Sequence, residues 1–427
     1  MAGGNVPCIR NYLVLPIGIP TGSNSDPLPW SQNALGRIEM RQNDTKHTMR
    51  QGTEMRDAFP LLCWNAPDME FFWLVLLLTT IGLIMLLSAS YPTAYYEQGY
   101  PYFYFARQLI FAVIGILLMI GISFINYEYF RILGKPLIII SLLLLAVVLI
   151  PGIGIVRNHA QRWLSVFGLF NFQPSEIAKL AVVLEFSSSI SVKHRQMRTF
   201  RKGIFPYAFI LGLISFLMAK EPHLSGLILI VAVGVILLFA GGIHPAWIIA
   251  GMAAVSFAAY LLLSGAIPYG QSRIAMWEDP FADAAGDGYQ LSQSLIAIGS
   301  GGLWGLGLGK SRQKLLFLPE VQNDFIFSIV AEELGLVGAT LILLIFSLLI
   351  IRGYHDALRA KDRFGALLCV GITSLLAMQT FLNVAVVTGL LPTTGISLPF
   401  FSYGGTALVT QLMEMGIILS VSRQATG

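Results

Sequence analysis

Apolar residues fall in blocks of roughly 20 along most of this chain, the length a helix needs to cross a bilayer. Ten blocks are recognisable, centred on 70–90, 105–125, 133–151, 174–191, 205–219, 224–241, 244–264, 325–351, 366–388 and 402–421. The fifth is short, and the fourth opens with a polar turn. The pattern predicts an all-α polytopic membrane protein of about ten transmembrane helices. Between the seventh and eighth blocks lies one long polar segment, 265–323; structureless loops beyond about 15 residues are uncommon and usually functional. Its stretch 288–309 reads as a short amphipathic helix followed by a glycine-rich turn.

Composition agrees. Of 427 residues, 55% are hydrophobic and 12% charged, against about 25% charged in a soluble domain. The net charge of +4 says little; the placement of the cations says more. The segments 1–69, 126–135, 191–203, 352–365 and the C-terminus hold most of the 27 Lys and Arg. Basic loops stay in the cytoplasm, so both termini are expected inside, with the long loop 265–323 outside. The run KHRQMRTFRK (193–202) suits a cytoplasmic loop held by anionic lipid.

Residues 1–68 are polar and proline-containing and read as a cytoplasmic, disordered tail, or as sequence ahead of a natural start at Met69. No signal peptide is evident. The membrane domain is expected over 69–423, and 424–427 as a short cytoplasmic tail. Cys8, Cys63 and Cys369 have no zinc or disulfide spacing, and the six histidines form no HExxH or close pair.

The run KSRQKLLFLPEVQNDFIFSIVAEELG (310–335) carries the most chemistry. Lys310, Arg312 and Lys314, then Glu320, lead to Asp324, which stands where the outer loop enters the eighth block. A poorly solvated carboxylate there has two compatible readings. It can cap the helix that follows, or it can be a general base or a ligand of a divalent ion. The three cations suit an anionic lipid headgroup or pyrophosphate. Glu332 and Glu333 lie further along the helix, and Glu333 faces away from Asp324; both read as ties to neighbouring helices. The string ending Gly309-Lys310-Ser311 fails as a P-loop, because the required first glycine falls at Trp304.

In NFQPSEIAKLAVV, Pro174 suits the first position of the fourth helix, with Glu176 in its first turn and Lys179 within reach of it. That pair either ties helices or lines a polar groove. Trp163, beside Arg162, is an interfacial anchor or a surface for a sugar or phosphate. Gln379 and Asn383 share one face of the ninth block, which should point inward. The uncharged turn 388–409 is expected to pack, with Ser402 available to cap the last helix.

These motifs together resemble the SEDS family (shape, elongation, division and sporulation), which includes RodA, FtsW and SpoVE. They are QRWL (161–164), QPSEIAKL (173–180), WEDP (277–280), GLGLGKSRQK (305–314), LPEVQNDFIFSIVAEELG (318–335) and TGISLPFFSYGG (394–405). The details are most similar to the FtsW and SpoVE branch. The resemblance covers residues 69–423 and implies a peptidoglycan glycosyltransferase that polymerises lipid II outside the bacterial cytoplasmic membrane. Septal enrichment, undecaprenyl-linked glycan as the growing strand, a class B penicillin-binding protein as crosslinking partner and further division proteins are implied with it. No nucleic-acid partner is expected.

The resemblance places the presumed catalytic aspartate at Asp324. Arg162, Trp163, Glu176, Lys179, Arg312, Lys314, Glu320 and Ser402 are expected around substrate. The one cofactor the chemistry leaves room for is a divalent cation, magnesium or manganese. The family's PDLG is PHLS here, with His223 in place of the aspartate, which puts a polar role of that loop in doubt. A lipid II flippase and a non-catalytic division scaffold are the competing functions; no internal repeat between the halves favours the former.

Overall fold

The computed structural model describes residues 61–425, apart from 64, 158–159, 167–169, 222, 248–250, 252–276, 285 and 287. The first helix, α1 (Met69–Gln98), starts where the Asp68 carboxylate accepts from the Phe71 amide at 3.0 Å, an acid at the positive end of the helix. It stops at Gly99, whose left-handed φ of 68° lets its amide donate to the Tyr95 carbonyl. The other helices are α2 (Phe103–Phe124), α3 (Phe130–Val148), α4 (Pro174–Lys193), α5 (Phe205–Lys220), α6 (Leu224–Ala240), α7 (Tyr289–Gly301), α8 (Ile326–Arg359), α9 (Arg363–Val387) and α10 (Gly405–Arg423).

Nine of the ten expected spans thus correspond to helices, and α7 is the short helix expected in the long loop. The seventh span, 244–264, falls for the most part outside the described residues, as does the tail 1–60. Among the described residues seven helices are long and apolar enough to cross a membrane. Of the nine, α6 is shorter, at 17 residues, and α4 carries Glu176, Lys179, Glu185 and Lys193.

Burial orders the bundle. α9 and α10 are mostly enclosed by protein, while α2, α3, α5 and α8 turn many apolar side chains outward, as lipid-facing helices do. In lipid, helices associate by close packing and not by expulsion of water, so small residues sit at their contacts. α3 meets α4 at Gly134, where an added Cβ would lie 2.9 Å from the Glu185 Cα. α10 meets α2 at Gly416, where it would lie 2.7 Å from the Met119 carbonyl oxygen.

Two features depart from the expected pattern. The outer segment 151–171 is not plain loop. It forms a three-stranded antiparallel sheet of β1 (Gly154–Arg157), β2 (Ala160–Val166) and β3 (Phe170–Phe172), pairing Ile155 with Trp163 and Leu164 with Phe172. The fold remains overwhelmingly helical.

The second departure is in α8, which is broken at Gly335 (φ 67°). The amides of Leu306 and Gly307 donate to the Glu332 and Glu333 carbonyls, and the amides of Leu336 and Val337 donate to Gly302 and Leu303. The glycine-rich turn therefore satisfies the backbone groups that the break frees. The approach is too close for a side chain: a Cβ on Gly305 would lie 2.2 Å from the Glu333 carbonyl oxygen. The half-helix before the break is buried almost throughout, and lipid-facing side chains begin at Leu336. The eighth span accordingly starts about ten residues later than the apolar run suggests, and Asp324 stands above a buried half-helix.

Candidate active site

A cavity of about 820 Å³ opens where the end of α1 and the starts of α2, α4, α6 and α10 converge with β2 and the loop before α8. All of these are ends that the cation distribution assigns to the outer face. Asp324 lines it, along with Glu320, Asn323, Arg162, Trp163, Glu176, Lys179, His223, Gln379 and Ser402.

The backbone around Asp324 is clamped. Asn383, buried on α9, donates through Nδ2 to the Asp324 carbonyl at 2.8 Å and to the Ile396 carbonyl at 2.6 Å. The Ser402 hydroxyl donates to the Asn323 carbonyl at 2.6 Å and accepts from the Leu398 amide at 2.7 Å. The Tyr403 amide donates to the Gln322 carbonyl at 2.7 Å. From α2, fully buried Gln108 donates to the Ser402 carbonyl and accepts from the Gly404 amide, each at 3.1 Å. Room for the carboxylate comes from Gly395 (φ 69°), where a Cβ would stand 3.1 Å from the Asp324 Oδ2.

Asp324 is not the helix cap. The cap position of α8 is Phe325, without a side-chain cap bond, and among the described residues the Asp324 carboxylate makes no hydrogen bond. It is left facing the cavity. Burial raises its pKa to about 6, the Glu320 carboxylate pushes the same way, and Arg162 opposes both. Such a group is largely ionised at neutral pH yet still basic enough to take a proton. Glu320 itself holds φ at 52° and accepts from Asn323 Nδ2.

Arg162 reaches across to the α5–α6 turn, its Nε donating to the Glu221 carbonyl at 3.3 Å. There the Glu221 carboxyl is buried, and burial lifts its pKa to about 8 against the pull of Arg162. The residue that stands in the aspartate's place on this turn is His223. It lines the cavity against Gln173, with ring nitrogens 3.3 and 3.4 Å from Nε2. Burial, then Arg162 and Lys179, lower its pKa to about 3, so the imidazole is neutral at pH 7.

Glu176 and Lys179 form the expected pair, 2.7 Å apart and nearly enclosed, on the first turns of α4. Glu414 of α10 lies within their electrostatic reach. Its isolated place in an apolar span gave no sign of that. Arg107 and Glu97 also line the cavity and carried no motif.

Two expected substrate residues are elsewhere. Lys314 is buried in an ion pair with Glu333 at 2.7 Å and donates to Ser88 of α1 at 3.0 Å. Arg312 points to solvent, and its amide donates to the Glu332 carboxylate at 2.8 Å. Neither lines the cavity. The two glutamate carboxylates hold the segment 311–314, and Glu333 draws the Lys314 cation away from Asp324. Ser402 does line the cavity but does not cap α10; its hydroxyl is used by the loop, and the cap position is Gly404. Of the WEDP segment, Trp277 donates to the Gly389 carbonyl at 2.7 Å, anchoring the outer loop to the end of α9.

Comparison with known proteins gives the chain relatives. Residues 69–427 match the model of the FtsW, RodA and SpoVE family, described as cell cycle protein. Stage V sporulation protein E of Bacillus subtilis (strain 168) is 44% identical over 360 residues, covering 84% of this chain and 98% of that protein. A probable peptidoglycan glycosyltransferase FtsW of Geobacter sulfurreducens is 38% identical over 369 residues, 85% of this chain and 98% of that one. Among solved structures, a peptidoglycan synthase complex coordinating polymerization and crosslinking contains a chain with TM-score 0.71 and 27% identity, covering 84% of this chain and 99% of its own. The Thermus thermophilus rod shape determining protein RodA aligns with TM-score 0.63 and 27% identity over 85% of this chain and 99% of its own.

Proposed function

The chain belongs to the FtsW, RodA and SpoVE family, and we propose from that premise that Asp324 is the base with which it builds glycan strands. The protein is a multi-pass membrane peptidoglycan glycosyltransferase. Its substrate is lipid II, and it works at the outer face of the cytoplasmic membrane. The observation that carries the reading is Asp324 itself: a carboxylate held by its backbone and facing a polar cavity at the end of the bundle, where burial raises its pKa to about 6.

Asp324 takes the proton of the 4-hydroxyl on the acceptor's N-acetylglucosamine. That oxygen attacks the anomeric carbon of the donor strand, the bond to undecaprenyl pyrophosphate breaks, and the configuration inverts. Proton removal of this kind is typically worth about 10²–10⁴-fold. The leaving group carries its electron pair away as pyrophosphate. Arg162 and Arg107, which line the cavity, would receive that charge, in preference to Lys314 and Arg312, which do not line it. Trp163 offers a face for a sugar ring.

Among the described residues no group of three His, Cys, Asp or Glu donors lines the cavity. A magnesium or manganese ion would there depend on Glu320 and Asp324 together with phosphate oxygens of the substrate. Crosslinking falls to a class B penicillin-binding protein, and the likeness to the stage V sporulation protein and to FtsW supports a septal site of work. The test is to supply labelled lipid II to the purified chain with its partner and resolve the products. Long glycan strands are expected. Transbilayer movement of lipid II in liposomes without polymer would make the protein a flippase, and neither activity would leave a scaffold.

A further inference from the structure

At the end of the bundle opposite the cavity, three side chains from two helices converge outside the machinery described above. Asp68 caps α1, and His355 and Asp356 lie near the end of α8. One ligand atom of each lies within 4.8 Å of the other two. We propose that Asp68, His355 and Asp356 form a binding site for a divalent transition-metal ion of the zinc or manganese class.

A cluster of this kind would mean little if its polar atoms were already satisfied. They are not. Asp356 is only 3% exposed; its carboxyl stands against that of Asp68 and its Oδ2 meets no donor, and the buried Nδ1 of half-buried His355 has no hydrogen-bond partner. Buried polar atoms are almost always bonded, and an exception calls for a missing ligand, water or ion. Both atoms belong to residues of the cluster.

Asp68 is already engaged by the Phe71 amide at 3.0 Å and by Arg352 at 3.1 Å. A carboxylate has about four lone-pair sites, so it can still bind an ion. Arg352 also holds Glu70 at 2.9 Å and need not be displaced. Arg359 and the buried Cys369 thiol are the other ionisable groups facing Asp356. The two arginines are opposed by the carboxyls of Asp68, Glu70 and Asp356.

The donor set decides the metal class. Two carboxylates and an imidazole suit zinc, manganese and their neighbours, whereas magnesium and calcium favour oxygen alone. Tetrahedral zinc with bonds of about 2.0–2.1 Å needs donors roughly 3.3 Å apart, so side chains whose ligand atoms lie within 4.8 Å of one another would close by at most about 1.5 Å. The bound ion would staple the start of α1 to the end of α8. The cation distribution puts this end in the cytoplasm, so the ion would come from there.

The test uses the full chain purified in detergent, stripped with chelator and titrated with zinc by calorimetry. One saturable equivalent is expected, with a rise in Tm and with magnesium binding at least tenfold weaker. Asp356→Asn and His355→Ala should each weaken zinc binding by about tenfold or more. Cobalt(II) should give an absorption band of a low-coordinate nitrogen and oxygen site, removed by zinc and absent in His355→Ala. That half-buried position keeps the test decisive if Asp356→Asn does not fold. No saturable binding, equal binding in both variants, or magnesium binding as tight as zinc would overturn the proposal.

Discussion

Replacing Glu320 by Gln and, separately, Arg162 by Gln should move the acid limb of the polymerisation pH profile in opposite directions. Asp324 acts as a base only when ionised, and its pKa stands at about 6, raised by burial and by Glu320 and lowered by Arg162. About nine-tenths of the protein would then carry the active carboxylate at pH 7 and about one-tenth at pH 5, against nearly all at both pH values for an ordinary aspartate. The wild-type rate should fall roughly tenfold across that interval. Glu320→Gln removes the like charge but keeps an acceptor for Asn323, whose amide donates to the Glu320 carboxylate. Its limb should shift to lower pH, without reaching the ordinary carboxylate range because burial persists. Arg162→Gln removes the opposing cation, and its limb should shift to higher pH. The assay is the initial rate of glycan formation from labelled lipid II between pH 5 and 8, read as the midpoint so that any loss in substrate affinity does not intrude. A wild-type profile flat down to pH 5, or midpoints that move the same way in both variants, would refute the assignment of the limb to Asp324.

Gly395→Ala should lower kcat with little change in KM, because its Cβ would crowd the Asp324 Oδ2 at 3.1 Å; a left-handed φ for a non-glycine residue adds a cost of about 1–2 kcal/mol, read as a lower Tm. Lys314→Ala should destabilise the protein by about 3–5 kcal/mol by leaving Glu333 buried and unpaired. The double change Lys314→Met with Glu333→Leu should recover most of that loss, and KM for lipid II should stay unchanged in it. A raised KM with intact stability would return Lys314 to the substrate.

The helices and the two most polar spots were legible in the sequence because their signals are local. Apolar blocks longer than a bilayer report spans directly. Pro174 with Glu176 and Lys179 three residues apart reports the start of α4 and its ion pair. The loop-to-helix placement of Asp324 reports an ill-solvated carboxylate. What stayed hidden depends on distant partners. Gly335 sits in an apolar run where a glycine is tolerated, and only the docking of the turn around Gly305 makes it a break. Lys314 looked like a substrate cation by its neighbours in sequence, but its partners are Ser88 and Glu333, the first of them on another helix. Ser402 had the look of a cap and is instead taken up by Asn323 and Leu398. The strands of the small sheet are only three to seven residues long, too short for their alternation to stand out beside membrane spans. His223 appeared as a departure from a motif, and only the cavity shows it as a neutral wall residue beside Arg162.

The central claim is that the Asp324 carboxylate performs the proton transfer, and one substitution isolates it. Asn is nearly isosteric with Asp and removes only the ionisable oxygen, at a site where no hydrogen bond to that carboxylate would be lost among the described residues. The decisive measurement is the initial rate of glycan polymerisation by Asp324→Asn, purified with its partner and shown to retain the wild-type Tm. A loss of about 10²-fold or more is expected. A folded Asp324→Asn protein that polymerises lipid II at the wild-type rate would contradict the account.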